Sequence, residues 1–172
     1  MTRLSALAVA AALFAVGCSS SSTSPSTTPT NPTFTAQISP ANENPPITNA
    51  ESVVTGNASI TLVTTKDAGG NITAATATFV VNITNLPTGS TVNIAHIHEG
   101  ASTCACPVVV NTSLAPREVT LVGGSASFSK GSITVAPEVA QRLLANPGGF
   151  YFNVHTALNA GGAVRGTLTR TN

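Results

Sequence analysis

Apolar residues fall into three regimes along the chain. Residues 4–16 are a thirteen-residue run of Ala, Leu, Val and Phe interrupted only by Ser5. Residues 19–33 contain only Ser, Thr and Pro with one Asn, and offer nothing from which a core is built. From Phe34 onward, short β-favouring segments alternate with turn chemistry. Residues 53–65 read as a strand with an irregularity at Gly56, 66–71 as a connecting loop, and 72–84 as the return strand of a hairpin. Further strands are predicted at 34–38, 92–98, 108–111, 125–135, 150–155 and 163–169. One segment, 137–145, breaks the pattern. It has Pro137 at a first helical turn, Glu138 beside it, Val139 and Leu143 four apart, and Asn146-Pro147-Gly148 as a stop. The expected fold is all-β: a single antiparallel β-sandwich or barrel-like domain with one short helix.

The first regime is too short to span a bilayer. Thirteen helical residues cover about 20 Å against an apolar thickness of about 30 Å. With Arg3 ahead of it, the run has the form of a secretory signal over residues 1–17. Ala15, Val16 and Gly17 lead into Cys18, and this resembles the lipobox of bacterial lipoproteins, with Ala15 where Leu is usual. That resemblance implies lipidation of Cys18 and a membrane partner through the anchor. Several acyl chains hold far more firmly than one. Ser19 after the cysteine points to the outer membrane in a cell that has one. The alternative is ordinary cleavage nearby, with Cys18 a spare thiol. Residues 18–33 then form a linker, and 34–172 form one domain of 139 residues, enough for its own core.

Charge narrows the partners. Loss of Arg3 with the signal leaves six basic residues against six acidic ones, with no basic stripe to displace counterions from a phosphate backbone. Nucleic acid is therefore not an expected partner, and an unidentified extracytoplasmic protein or ligand is.

Three clusters carry a resemblance across nearly the whole domain. The first is Phe34-Thr35-Ala36-Gln37-Ile38 with Glu43-Asn44-Pro45-Pro46 and Gly56. The second is Ala95-His96-Ile97-His98-Glu99-Gly100 with Pro107-Val108-Val109-Val110. The third is Tyr151-Phe152-Asn153-Val154-His155-Thr156 with Gly162-Ala163-Val164-Arg165-Gly166. In this order and spacing they resemble the CHRD domain family, named from repeats in the growth-factor antagonist chordin and common in bacterial secreted proteins and lipoproteins. The chain departs from the family's pattern at Asn44, at 159–163 and at Cys104-Ala105-Cys106. The resemblance implies no catalytic activity, and growth-factor binding is not carried over. A cell-envelope lipoprotein with a non-catalytic binding or structural module is the expected function.

The three histidines all fall in these clusters. On a strand, residues two apart share a face, so His96 and His98 project together, as do Tyr151, Asn153 and His155. If the strands are neighbours, His96, His98 and His155 can hold copper or zinc, with Glu99 or Glu43 as a further ligand or support. The chain is then a redox or metal-handling protein. The alternative is that the same histidines hydrogen-bond to backbone, Asn153 and Arg165 and serve only the fold. His96-Ile97-His98-Glu99 is also similar to the copper-binding strand of copper-zinc superoxide dismutases, but a chain with three histidines lacks the bridging and zinc ligands of those enzymes.

Cys104 and Cys106 have three readings: a disulfide, two thiols, or soft-metal ligands alongside the histidines. Nucleophilic catalysis is unsupported, since no Gly-x-Ser-x-Gly turn occurs and the acids are not visibly paired. Arg165 is read as a binding candidate, or as half of an internal ion pair with Glu99 or Glu43. Glu43, Glu99, Asn153 and Arg165 complete the candidate binding residues.

Overall fold

The computed structural model describes residues 31–172; the apolar leader, Cys18 and the linker up to residue 30 lie outside the described residues. Nine strands are present among the described residues: β1 (Thr33–Ile38), β2 (Thr55–Lys66), β3 (Ile72–Thr84), β4 (Val92–Glu99), β5 (Val108–Asn111), β6 (Ala126–Val135), β7 (Phe150–Thr156), β8 (Val164–Thr167) and β9 (Thr169–Arg170). They form two antiparallel sheets, ordered β6-β3-β2-β1-β9 and β5-β4-β7-β8.

The β2–β3 hairpin shows the physical logic of the larger sheet. Along β3, Ala75, Ala77, Phe79, Val81 and Ile83 are buried, while the residues between them are exposed. Ala58, Ile60 and Leu62 of β2 stand opposite Val81, Phe79 and Ala77. A period of two with every second side chain apolar gives one dry face and one wet face, and cross-strand pairs add to the dry side. Thr, Ser and Asn cover most of the wet face, with Val63 and Val80 among them.

The smaller sheet is different, because β7 is buried at every position. Its inner face carries Ala95 and Ile97 opposite Val154 and Phe152, and Phe152 stacks on Phe79 of the other sheet at 5.9 Å. The outer face is polar: His96 pairs across from Asn153, His98 from Tyr151, and Asn153 from Arg165. These residues are withdrawn from water because loops lie over them, tied down by Arg165 to the carbonyls of Ser102 and Cys104 and by Asn44 to that of Thr103.

The helix α1 (Pro137–Ala145) forms where the sequence predicts it. It buries Val139, Ala140 and Leu143, packs on β3, and carries the chain from β6 in one sheet to β7 in the other.

Three expectations change. The barrel alternative is not realised. A single isolated bridge, Ser39 with Arg165, links β1 to β8 on one side, while the opposite edge strands β5 and β6 are unpaired with each other among the described residues. The strand expected from residue 53 begins at Thr55, because Asn49 caps a 3-10 turn over Ala50–Val53 and leaves Val53 62% exposed. The strand expected over 163–169 is two: β8 belongs to the small sheet and β9 to the large one, with buried Leu168 at the corner between them. Turning at Leu168 lets one apolar side chain enter the core while its neighbours pair with different sheets.

Gly166 sits where β8 passes close over β1. A Cβ built there would overlap the Gln37 carbonyl, a backbone atom that cannot swing away. Gly161, three residues before β8, has open space around it. Gly166→Ala is therefore expected to lower unfolding free energy by about 2 kcal/mol or more, and Gly161→Ala to leave it unchanged, as measured by urea denaturation.

Candidate functional site

The outer face of the small sheet gathers most of the buried polar side chains among the described residues. Glu43, His96, His98, Asn153, His155 and Arg165 are all buried. β4 supplies two histidines on alternate residues, β7 supplies Tyr151, Asn153 and His155 in the same manner, and β8 supplies Arg165. Glu43 arrives from the loop after β1.

Arg165 and Glu43 form the anchor of this layer. The Arg165 Nε donates to Glu43 Oε2 at 2.6 Å, and its Nη2 reaches the same oxygen at 2.5 Å. The two side chains are only 4% and 2% exposed. Arg165 Nη1 donates to the carbonyls of Cys104 and Ser102 at 2.9 and 3.1 Å, so one guanidinium ties β8 to two loops. Burial pushes the Glu43 carboxyl above the ordinary range, and the hydrogen bond and charge of Arg165 only partly oppose it. Glu99, the other expected partner of Arg165, instead pairs with Arg142 of α1 at 2.6 Å on the surface. Both of its oxygens are engaged there, so Glu99 takes no part in the buried layer.

Tyr151 links the anchor to the histidines. Its ring stacks on His98 with centroids 4.5 Å apart and planes 9° apart, and the Arg165 guanidinium lies 4.9 Å from the ring centre. Its hydroxyl donates to the Cys104 carbonyl at 2.9 Å and accepts from the Cys106 amide at 3.3 Å. Cys104 and Cys106 are joined by a disulfide with Cα atoms 5.3 Å apart. The loop that covers His98 is thus closed covalently and held by Tyr151 and Arg165.

The histidines themselves converge. One ring nitrogen from each of His96, His98 and His155 lies within 4.8 Å of the other two. The His155 Nδ1 lies 2.8 Å from the Ala160 carbonyl, and the His98 Nδ1 lies 2.5 Å from that of Cys106. A carbonyl only accepts, so both Nδ1 atoms carry the proton, and both Nε2 atoms are acceptors in the neutral rings. His155 Nε2 is 2.8 Å from His96 Nε2, so His96 holds its proton on Nε2 and donates. Burial and the two neighbouring histidines depress the His96 pKa to about 3. Burial also lowers those of His98 and His155, against the raising effect of their carbonyl partners and with the help of the Arg165 charge. All three rings are neutral at pH 7.

Three buried atoms in this layer have no hydrogen-bond partner: Glu43 Oε1, His98 Nε2 and Asn153 Oδ1. Each is an acceptor. Gly162 fits against two of these residues, since a Cβ there would lie 2.6 Å from Glu43 Oε2 and 2.8 Å from Asn153 Nδ2. Beside them, a cleft of about 370 Å³ opens between the loops 43–49 and 158–162, lined by Glu43, Pro45, Asn49, Leu158, Asn159 and Gly162 among others.

Sequence reasoning missed two supports. Glu51 is fully buried and accepts from Ser90, Thr156 and Asn159, which pins the 157–162 loop to the end of the sandwich. Asn49 two residues earlier, a cap residue, was the available signal. Arg142, in the last turn of α1, is the other support: it reaches Glu99 at the end of β4, and the helical pattern of 137–145 carries no signal for that pairing.

A two-sheet sandwich with a buried polar layer under loops on one outer face is thus the class that fold and site define. A model of the CHRD domain family matches residues 34–168, and the chain belongs to that family. No curated protein matches the chain, nor does any solved structure.

Removing one partner of a buried ion pair strands the other charge in a low-dielectric setting. Glu43→Ala and Arg165→Ala are each expected to cost about 3–5 kcal/mol of stability, while Glu99→Ala, which breaks only a surface pair, costs a small fraction of that. Chemical denaturation of the three variants measures the contrast.

Proposed function

We propose that this protein is an exported lipoprotein held at the bacterial cell envelope through Cys18, and that its CHRD domain is a non-catalytic binding module. The polar layer on the outer face of the small sheet is the binding centre. The observation that carries the second part is the set of three unpartnered buried acceptors. Buried polar groups are almost always satisfied, and an exception calls for a ligand, an ion or water. Unpartnered buried atoms that are all acceptors suit a cation or a ligand rich in N–H and O–H groups. No serine or cysteine nucleophile stands beside a base in this layer, and the disulfide occupies both cysteines of the domain. The single carboxylate there, Glu43, is neutralised by Arg165. These features support recognition rather than bond cleavage.

The tether rests on the apolar run ending at Cys18 and on the Ser/Thr/Pro linker that follows it. In a bacterial host with the native leader, the wild-type chain is expected to partition with membranes and to incorporate labelled palmitate. Cys18→Ser moves it to the soluble exported fraction without label. A wild-type protein that remains soluble and unlabelled overturns the tether.

The binding centre has a separate test. Asn153 Oδ1 has no hydrogen-bond partner, although the residue is 1% exposed. If it is kept for a ligand, its unmet polarity is a standing cost to the fold. Asn153→Leu is then expected to raise stability by about 1 kcal/mol, a few degrees in melting temperature for a domain of this size. A structural asparagine gives the opposite sign, and a fall in melting temperature overturns the assignment.

A further inference from the structure

We propose that His96, His98 and His155 form a binding site for one first-row transition-metal ion of the kind imidazole prefers, copper or zinc. This rests on the reading of the polar layer as a binding centre and names its occupant.

The donor set is three neutral imidazoles from two adjacent strands. Zinc and copper take nitrogen at about 2.0–2.1 Å, which puts ligand nitrogens of a tetrahedral or trigonal site about 3.3–3.6 Å apart. Here the His96 and His155 nitrogens are 2.8 Å apart and the whole set lies within 4.8 Å, so small ring rotations reach the required spacing. Hard cations that demand several oxygens find a single paired carboxylate here and are disfavoured.

The orientation of the rings is the second argument. Metal-bound histidines characteristically donate their other ring N–H to a carbonyl or carboxylate, which fixes the tautomer and aims the free nitrogen. His155 does so to Ala160 and His98 to Cys106. His98 Nε2 consequently presents a buried lone pair with nothing to accept from. His96 is the adjustable member. It donates Nε2–H to His155, and transfer of that proton to its own Nδ1 frees the third lone pair. The exchange is between two tautomers of one ring and needs no proton from elsewhere.

Charge sets the balance. The Arg165 guanidinium opposes a cation in this layer, and the Glu43 carboxylate on it offsets that field. The donors contribute no negative charge of their own. A monovalent ion is therefore less costly to bury than a divalent one, which favours Cu(I) over zinc or Cu(II).

The test uses the chain expressed with its own N-terminus and purified, without added metal, from whichever fraction holds it. Competition against chromophoric chelators of Cu(I) and of zinc reads both arms separately. The expected result is one ion per chain, with Cu(I) held more tightly, and X-ray absorption showing nitrogen scatterers at about 2.0 Å. His155→Gln and His98→Gln are expected to weaken binding by more than about 100-fold, beyond the effect typical of supporting groups. Glu99→Gln, engaged with Arg142 at the surface, leaves it unchanged. Circular dichroism checks folding, and His98→Gln preserves a donor for the Cys106 carbonyl if His155→Gln fails to fold. Tighter zinc than Cu(I) binding overturns the charge argument. Failure to take up either metal, uptake indifferent to both substitutions, or sulfur scatterers at about 2.3 Å overturns the site. An unmetallated protein whose Asn153→Leu variant is still stabilised keeps the binding-centre reading, so the two failures are separable.

Discussion

The buried pair between Arg165 and Glu43 is the constraint on which the outer layer depends. A guanidinium and a carboxylate removed from water are costly unless their remaining hydrogen-bonding capacity is met. Arg165 meets its own through the carbonyls of Ser102 and Cys104, which fixes the loop after β4 against β8. Its backbone does as much again: Ser39 and Arg165 exchange two hydrogen bonds, and the Asn42 side chain donates to the Arg165 carbonyl. One residue therefore joins the corner where the two sheets meet to both segments that roof the histidines. Glu43 is less complete, since both contacts from Arg165 fall on Oε2 and leave Oε1 alone.

From that anchor the layer is organised by backbone carbonyls as much as by side chains. The Cys104 carbonyl receives Arg165 and Tyr151, and the Cys106 carbonyl receives His98. These are the two residues that the disulfide joins. Closing the ring at this point restrains the two carbonyls that set the ring plane of His98 and the position of the guanidinium. The cross-link therefore acts on the polar layer, and the large apolar core between the sheets has no need of it. The covalent ring gives this chain a stiffer roof over its histidines than an open loop would supply.

How far the fold was legible follows from where periodicity alone decides. The β2–β3 hairpin and β4 were visible because one or both faces are committed: Ile60, Leu62, Phe79 and Val81 are inside, and a shift of one residue would expose them all. The placement of His96, His98, Asn153 and His155 on one face followed from the same period of two, once β4 and β7 proved to be neighbours. The corner at Leu168 was not legible. Val164 to Leu168 has the composition of one continuous strand, and only the closeness of Gly166 to the Gln37 backbone and the pairing of Arg170 with Phe34 show that the chain changes sheets. Choosing between Glu43 and Glu99 as the partner of Arg165 likewise required tertiary structure, because Arg142, 43 residues from Glu99, captures it.

The histidine cluster shows how a fold can hold a site ready at some cost to itself. Three imidazoles in contact, beside an arginine, are tolerated because burial lowers the pKa of each, helped at His96 and His98 by neighbouring histidines and at His98 and His155 by the Arg165 charge. In that state they satisfy one another only in part: His96 donates to His155, while His98 Nε2 and Asn153 Oδ1 are left facing the same layer. A purely structural network of this size would be expected to close its hydrogen bonds, since a half-satisfied buried network is less stable than an apolar core of the same shape. The rest of the sandwich, with its dry alternation and paired strands, is built by that economy. Among the described residues the fully buried unmet atoms lie on one face of one sheet, and all three are acceptors, so they ask for an electrophile or a proton donor.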